Sequence, residues 1–160
     1  MGFFKKIFGS SGDDNKPKRK LDLMNLRIGD FVTYYGEDYE VFAVVDWMEQ
    51  GYSYKEYKLK NVTESFWITA ELDDGELEAA FYTIVDDFHV NSPPPETIEY
   101  NNAKYKLEES GQAVGQLKSM RGKQNMKCRY WYYESENDDN KIFSIEDYGG
   151  EIEASFGIRI

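Results

Sequence analysis

The chain has 160 residues, 41% of them hydrophobic and 16% aromatic, with a formal net charge of −11. That length suits one compact domain or two small halves sharing a core, and the apolar content excludes wholesale disorder. The one cysteine, Cys128, excludes an internal disulfide and a cysteine-rich zinc site, and no run of about 18 apolar residues offers a membrane-spanning helix.

Charge is uneven along the chain. Residues 1–20 hold six basic and two acidic side chains, net +4, which leaves 13 basic and 28 acidic residues, net −15, for the remainder. An acidic body repels phosphate backbones, so nucleic acid is not an expected partner and cationic partners are favoured.

Met1–Phe8 reads MGFFKKIF. On a helix, Phe4, Ile7 and Phe8 would share one face, with Phe3 and the basic Lys5 and Lys6 beside them. Such a start suits peripheral contact with a membrane surface, and Phe3, Phe4, Lys5, Lys6, Ile7 and Phe8 are its candidate contacts. The start is too short for a signal peptide. Gly9-Ser10-Ser11-Gly12 and the polar stretch after it read as a linker, so residues 1–20 are taken as a flexible basic tail.

Residues 21–92 are expected to form a first β half. Leu21–Leu26 is an apolar lead with room for one helical turn. Phe31, Thr33 and Tyr35 alternate with Val32 and Tyr34, Gly36-Glu37-Asp38 carries turn chemistry, and Tyr39–Val45 resumes the alternation as the second arm of a hairpin. Trp47–Gly51 breaks the pattern and reads as a connection. Tyr52–Lys60, Ser65–Leu72 and Glu76–Ile84 then read as strands, the last two joined at Asp73-Asp74-Gly75. Pro93-Pro94-Pro95 is a stiff connector that neither a helix nor a central strand could hold, and the second half, residues 93–160, begins there. Thr97–Tyr100 and Ala103–Glu109 form a hairpin, and Ser110–Asn125 reads as a polar loop with a helical turn near Val114–Met120. Met126–Glu134, Lys141–Asp147 and Glu151–Ile160 complete the sheet.

The second half echoes the first. Tyr34 falls on Tyr100, Tyr39 on Tyr105 and Val41 on Leu107; Glu56-Tyr57-Lys58-Leu59 is set against Arg129-Tyr130-Trp131-Tyr132; Asp74–Phe81 is set against Gly149–Phe156. Three collinear blocks point to an internal duplication, with an insertion in the second copy where the offset grows from 66 to 75 residues. The expected fold is therefore all-β, two related antiparallel halves packed as small barrels or as a sandwich.

Residue types that could carry chemistry are few. His89 is the one histidine. Cys128 lies between Lys127 and Arg129, but on a strand those neighbours face the other way, and a buried small hydrophobe is the plainer role. Glu71 with Glu146, Glu76 with Glu151 and Glu78 with Glu153 match between the halves; paired carboxylates can do acid/base work on sugars, but here they read as a solvated strand face. Asp73-Asp74 and Asp138-Asp139-Asn140 lack the spacing of a calcium loop. Lys118, Arg121, Lys123, Lys127 and Arg129 beside Tyr130–Tyr133 form the one basic aromatic patch. Rings beside carboxylates attract ammonium groups, which makes Tyr35, Trp47, Tyr52 and Tyr54 the candidate ligand or partner contacts.

The motifs Leu26–Asp30, Val32–Gly36, Tyr39-Glu40-Val41, Glu56–Leu59, Trp67 and Pro94-Pro95 resemble those of an uncharacterised bacterial family, domain of unknown function 4178. Tyr105-Lys106-Leu107, Tyr130–Glu134 and Gly149-Gly150-Glu151 carry the same resemblance, which covers residues 21–160. It implies no established activity, no catalytic residue and no cofactor. The leading expectation is a non-enzymatic interaction or adaptor module with an unidentified protein partner, cytoplasmic, touching the inner membrane surface through its first residues. The alternative is a binder of small cationic ligands such as polyamines.

Overall fold

The computed structural model describes residues 22–160, and residues 4–8 as strand backbone. Eleven strands follow one another: β1 (Phe4–Phe8), β2 (Phe31–Tyr34), β3 (Glu37–Glu49), β4 (Tyr52–Lys60), β5 (Ser65–Asp73), β6 (Glu76–Ile84), β7 (Thr97–Tyr100), β8 (Ala103–Ser119), β9 (Gly122–Ser135), β10 (Lys141–Asp147) and β11 (Ile152–Arg159). No helix occurs among the described residues. The fold is all-β, as composition and alternation predict. All eleven strands belong to one sheet, ordered β1-β2-β3-β4-β5-β6-β11-β10-β9-β8-β7.

A further pairing gives that sheet its shape. Ala43–Met48 of β3 lies antiparallel to Val114–Ser119 of β8. With that contact β3, β4, β5, β6, β11, β10, β9 and β8 close into a ring of eight strands. The short strands β2 and β7 stay outside the ring, each paired to the opening residues of β3 or β8.

Both long strands bend at a bulge, between Val41 and Ala43 in β3 and between Leu107 and Glu109 in β8. A bulge inserts one unpaired residue and sharpens the local twist. Before it, the strand serves its own half; after it, the strand serves the ring. The hairpins leading into these bends also agree. Tyr35-Gly36 and Asn101-Asn102 both hold positive φ, 49° and 79° against 51° and 63°, the two-residue I′ turn that matches strand twist. Glu37 and Asp38, expected in the turn, are the first residues of β3.

Each half keeps a dry core on one face of its sheet. In the first, Val32, Val41, Tyr57, Leu59 and Ile68 are fully buried, and Tyr34 of β2 reaches Phe81 of β6 with ring centroids 4.8 Å apart. In the second, Tyr105, Trp131, Tyr133, Phe143 and Ile145 form the core, and Tyr100 of β7 meets Phe156 of β11 at 5.7 Å. Burying a side chain such as Leu59 is worth about 1.5–3 kcal/mol. Asp46 on the closing seam bonds Lys55 at 2.7 Å and Lys118 at 2.8 Å, but these groups are part-exposed and such pairs contribute about 0–1 kcal/mol. The apolar cores therefore carry the stability, and the ion pairs align the seam.

Several expectations are corrected. Trp47-Met48-Glu49 is no connection: β3 runs through it, and the turn is Gln50-Gly51. Ser110–Asn125 is neither loop nor helical turn but the tip of a long hairpin between β8 (17 residues) and β9 (14), against 13 and 9 in β3 and β4. The extra length sits there, and it supplies the residues that close the ring on β3. The block around Tyr57 is set three residues off: Tyr57 pairs with Ile68 and its counterpart Tyr133 with Phe143, both on core faces, whereas Tyr130 faces the other way. Residues 4–8 pair with β2 as a strand, so the helical spacing that grouped Phe4, Ile7 and Phe8 does not apply; Phe3 and residues 9–21 lie outside the described residues.

Gly115 tests the closure. A Cβ there would sit 2.7 Å from Cε3 of Trp47 and 2.8 Å from the Asp46 carbonyl oxygen, so one of the two strands would have to shift. Gly115→Ala should lower stability by about 1–3 kcal/mol in urea unfolding. An unchanged midpoint would contradict the seam.

Candidate functional site

Strand alternation gives the ring two chemically different surfaces. Residues pointing away from the dry cores point into the ring, where they line a cavity of about 1160 Å³. From β3 come Val45, Trp47 and Glu49; from β4, Tyr52, Tyr54 and Glu56; β9 and β10 contribute alternate residues in the same way, from Gln124 to Glu134 and from Ile142 to Glu146. The wall carries eleven carboxylates, six tyrosines and two tryptophans, against one basic group, Arg159.

Room for these rings comes from glycine. An added Cβ at Gly157 would meet Tyr82 at 2.7 Å, and one at Gly111 would meet Glu49 and the Tyr130 hydroxyl. The aromatic and acidic side chains lie across strands where neighbours have been reduced to hydrogen.

Carboxylates and tyrosines are joined in units. The Tyr130 hydroxyl donates to Glu49 at 2.6 Å and lies 3.1 Å from Glu109. Tyr52 donates to Glu71 and Tyr148 to Glu146. Arg159 is held by Glu134 and, at 2.7 Å, by the Tyr132 oxygen, so its charge is already matched. Glu71 stands opposite Glu78 across β5 and β6, and Glu146 stands opposite Glu153 across β10 and β11. Directly opposed like charges are destabilising.

Confinement shows in the acid strengths. Removal from water pushes the Glu146 carboxyl up to about 7, with Glu153 adding to the rise and the Tyr148 hydroxyl opposing it. Glu56 is raised well above its ordinary value by burial and then by Glu146 and Glu153. Burial also raises Glu71, which Tyr52 relieves and Glu78 worsens, and it raises Glu153 despite Lys58. Beside Glu56, Trp47 keeps a buried indole N–H near enough to favour the anion, yet without an acceptor at hydrogen-bond geometry.

Three of the four ring residues singled out in the sequence meet here. Trp47 and Tyr54 stack at 6.2 Å, and Tyr52 lies 6.4 Å from Tyr54. Tyr35 does not join them: it is 69% exposed in its turn, edge-on to Tyr34 at 4.6 Å. Glu71, Glu78, Glu146 and Glu153 are the larger correction. Their matched positions are legible in the sequence, but Glu71, Glu146 and Glu153 are half-buried in the cavity wall, and Glu78 alone stays exposed, at its rim.

Cys128 is buried in that wall, and burial followed by Glu146, Glu56 and Glu49 pushes its thiol up, leaving a poor nucleophile. His89 borders a smaller cavity of about 310 Å³ that shares Tyr148, Glu151 and Glu153 with the large one. The basic patch is partly occupied: Lys118 is bound to Asp46, and Arg129 lies 5.0 Å over the Trp131 ring.

A family described as Domain of unknown function (DUF4178) matches residues 27–160. The chain belongs to that family. No curated protein and no solved structure matches. Within this DUF4178 chain the cavity is the place where unusual chemistry concentrates, and among the described residues no three His, Cys, Asp or Glu side chains converge as metal ligands. Its carboxylates are spread along the wall rather than gathered on one point.

A raised carboxyl costs stability once it must ionise. Glu146 loses its proton near 4.5 when unfolded and near 7 when folded, so the folded state binds more protons between those values. The contribution of this group to stability is then full below about pH 4.5 and is lost as pH rises through 7. Glu56, Tyr148, Glu153 and Cys128 surround it and none of them offers a cation. Glu146→Gln should remove part of that decline, at most about 3 kcal/mol, in unfolding measured at pH 5 and pH 8. An identical slope in the variant would contradict the burial of this group.

Proposed function

We propose that this protein is a non-enzymatic binding module whose ring-enclosed cavity takes small organic cations of the polyamine class. The observation that carries this reading is the wall itself, with eleven carboxylates and eight large aromatic rings against one already paired arginine. A protonated amine suits it twice, as counter-charge to the carboxylates and as a partner for tyrosine and tryptophan faces.

Two carboxyls in one pocket are also what a hydrolase on paired glutamates would require. Glu71/Glu78 and Glu146/Glu153, however, are directly opposed on neighbouring strands, where Cβ atoms stand about 5 Å apart. Side chains so placed lean on each other instead of flanking a scissile bond. In each pair one carboxyl accepts from a tyrosine hydroxyl, Glu71 from Tyr52 and Glu146 from Tyr148, and the other stands against it, an arrangement that favours binding over reaction. The similar strand order, turns and bulges support the duplication of one ancestral β unit, which we propose as the origin of the two halves.

Spermidine should raise the melting temperature at pH 7.5 and moderate salt in a saturable way, because cations relieve the carboxyl repulsion of the folded state. Trp47→Phe, which deletes the indole N–H, and Glu56→Gln should both weaken the shift, by about threefold or more in half-saturating concentration. A response that is linear, abolished by salt and equal in the variants would mean diffuse attraction to an acidic surface. The adaptor role with a protein partner would then be the reading in force.

A further inference from the structure

The cavity has two acidic ends related by a local two-fold. Glu71 and Glu78 oppose each other across β5 and β6, and Glu146 and Glu153 oppose each other across β10 and β11. Both pairs carry the same 75-residue offset. That offset also relates Tyr82 to Gly157, and these two stand opposite each other where β6 meets β11. The Tyr82–Gly157 pair therefore marks the axis. Glu78 lies four residues from it on β6, and Glu153 four residues from it on β11, in opposite directions because the strands are antiparallel.

Eight residues of strand correspond to about 26 Å at about 3.3 Å per residue. Strands of a barrel tilt by about 35–45° from its axis, which shortens the span along the cavity to about 20 Å. Each end has its own tyrosine, Tyr52 on Glu71 and Tyr148 on Glu146. Glu56 and Tyr54 lie toward the Glu146/Glu153 end, and beside Glu56 is the orphaned N–H of Trp47, a residue 2% exposed. A buried donor left without an acceptor is costly. The Trp47 N–H, buried and aimed into the cavity beside Glu56, is a polar group that the wall leaves unmatched.

We infer that the ligand is a linear amine bearing charge at both ends, lying lengthwise, with one terminal ammonium at Glu71/Glu78 and the other at Glu146/Glu153. This inference rests on the cation-binding reading and goes beyond it by fixing the ligand's shape and the residues that meet its termini. A compact cation, or a chain too short to span, would satisfy one end and leave the other pair in mutual repulsion.

A series of α,ω-diamines at constant charge tests this by isothermal titration calorimetry on the full chain. 1,12-Diaminododecane should bind at least tenfold more tightly than 1,4-diaminobutane, with one molecule per chain. The gain should disappear both in Glu71→Gln/Glu78→Gln and in Glu146→Gln/Glu153→Gln, since loss of either end removes the advantage of reaching it. Single Glu78→Gln and Glu153→Gln variants replace any double variant that fails to fold. A chain-length gain that survives neutralisation of either end would reflect the apolar chain alone and overturn the inference. Diamines of all lengths binding equally would overturn it too, while leaving the cation-binding reading standing. Absence of binding by any amine would remove both.

Discussion

The contact between β3 and β8 is the constraint on which the rest depends. Without it the sheet would be open, and the alternate residues of its strands would face water, where a row of glutamates costs nothing. Six residues on each strand make the contact, and they encircle that same row. The closing segment of β8 belongs to the longer hairpin of the second half, so the asymmetry between the halves is what creates the enclosed space. Gly115 lets the Trp47 ring lie across the seam, and Asp46, drawn to Lys55 and Lys118, holds three strands in register.

Enclosure changes the meaning of the charges. A carboxylate on an open face keeps its hydration, whereas one inside the ring loses water and gains like-charged neighbours, and both effects disfavour the anion. The cavity answers in part with tyrosine hydroxyls, which give a hydrogen bond without giving a charge. That leaves the wall short of positive charge, with Arg159 committed to Glu134 and Tyr132. The two dry cores are large enough to hold the ring together despite this. Tyr57, Leu59, Ile68, Tyr133 and Phe143 are fully buried there, and burial on this scale is what opposes the repulsion among the wall carboxylates.

Much of the fold is legible in the residues. The hairpin at Tyr35-Gly36, its echo at Asn101-Asn102, the paired strands around Asp74-Gly75 and the break at Pro93–Pro95 all follow from alternation and turn chemistry. The candidate rings Trp47, Tyr52 and Tyr54 do meet. At the site, the reading from sequence fails for one reason. Alternation says that a strand has two faces but not what lies against the polar one, and a face of Glu and Tyr looks alike whether it meets water or the far wall of a barrel. Glu71, Glu78, Glu146 and Glu153 form a matched set in the sequence, and only the β3–β8 pairing, between residues about 70 apart, encloses the face they share. The long β8–β9 hairpin is obscured by its glycines: Gly111 and Gly115 suggest a loop, whereas they make space for Tyr130 and Trp47.

The most direct test of this account is amide hydrogen exchange on the β3–β8 seam. The amides that bridge the two strands within 43–48 and 114–119 should be protected as strongly as those of the β5–β6 pair, since a closed ring has no edge there. Exchange of those amides at the rate of an exposed edge strand, with β5 and β6 still protected, would show an open sheet and contradict an enclosed acidic cavity.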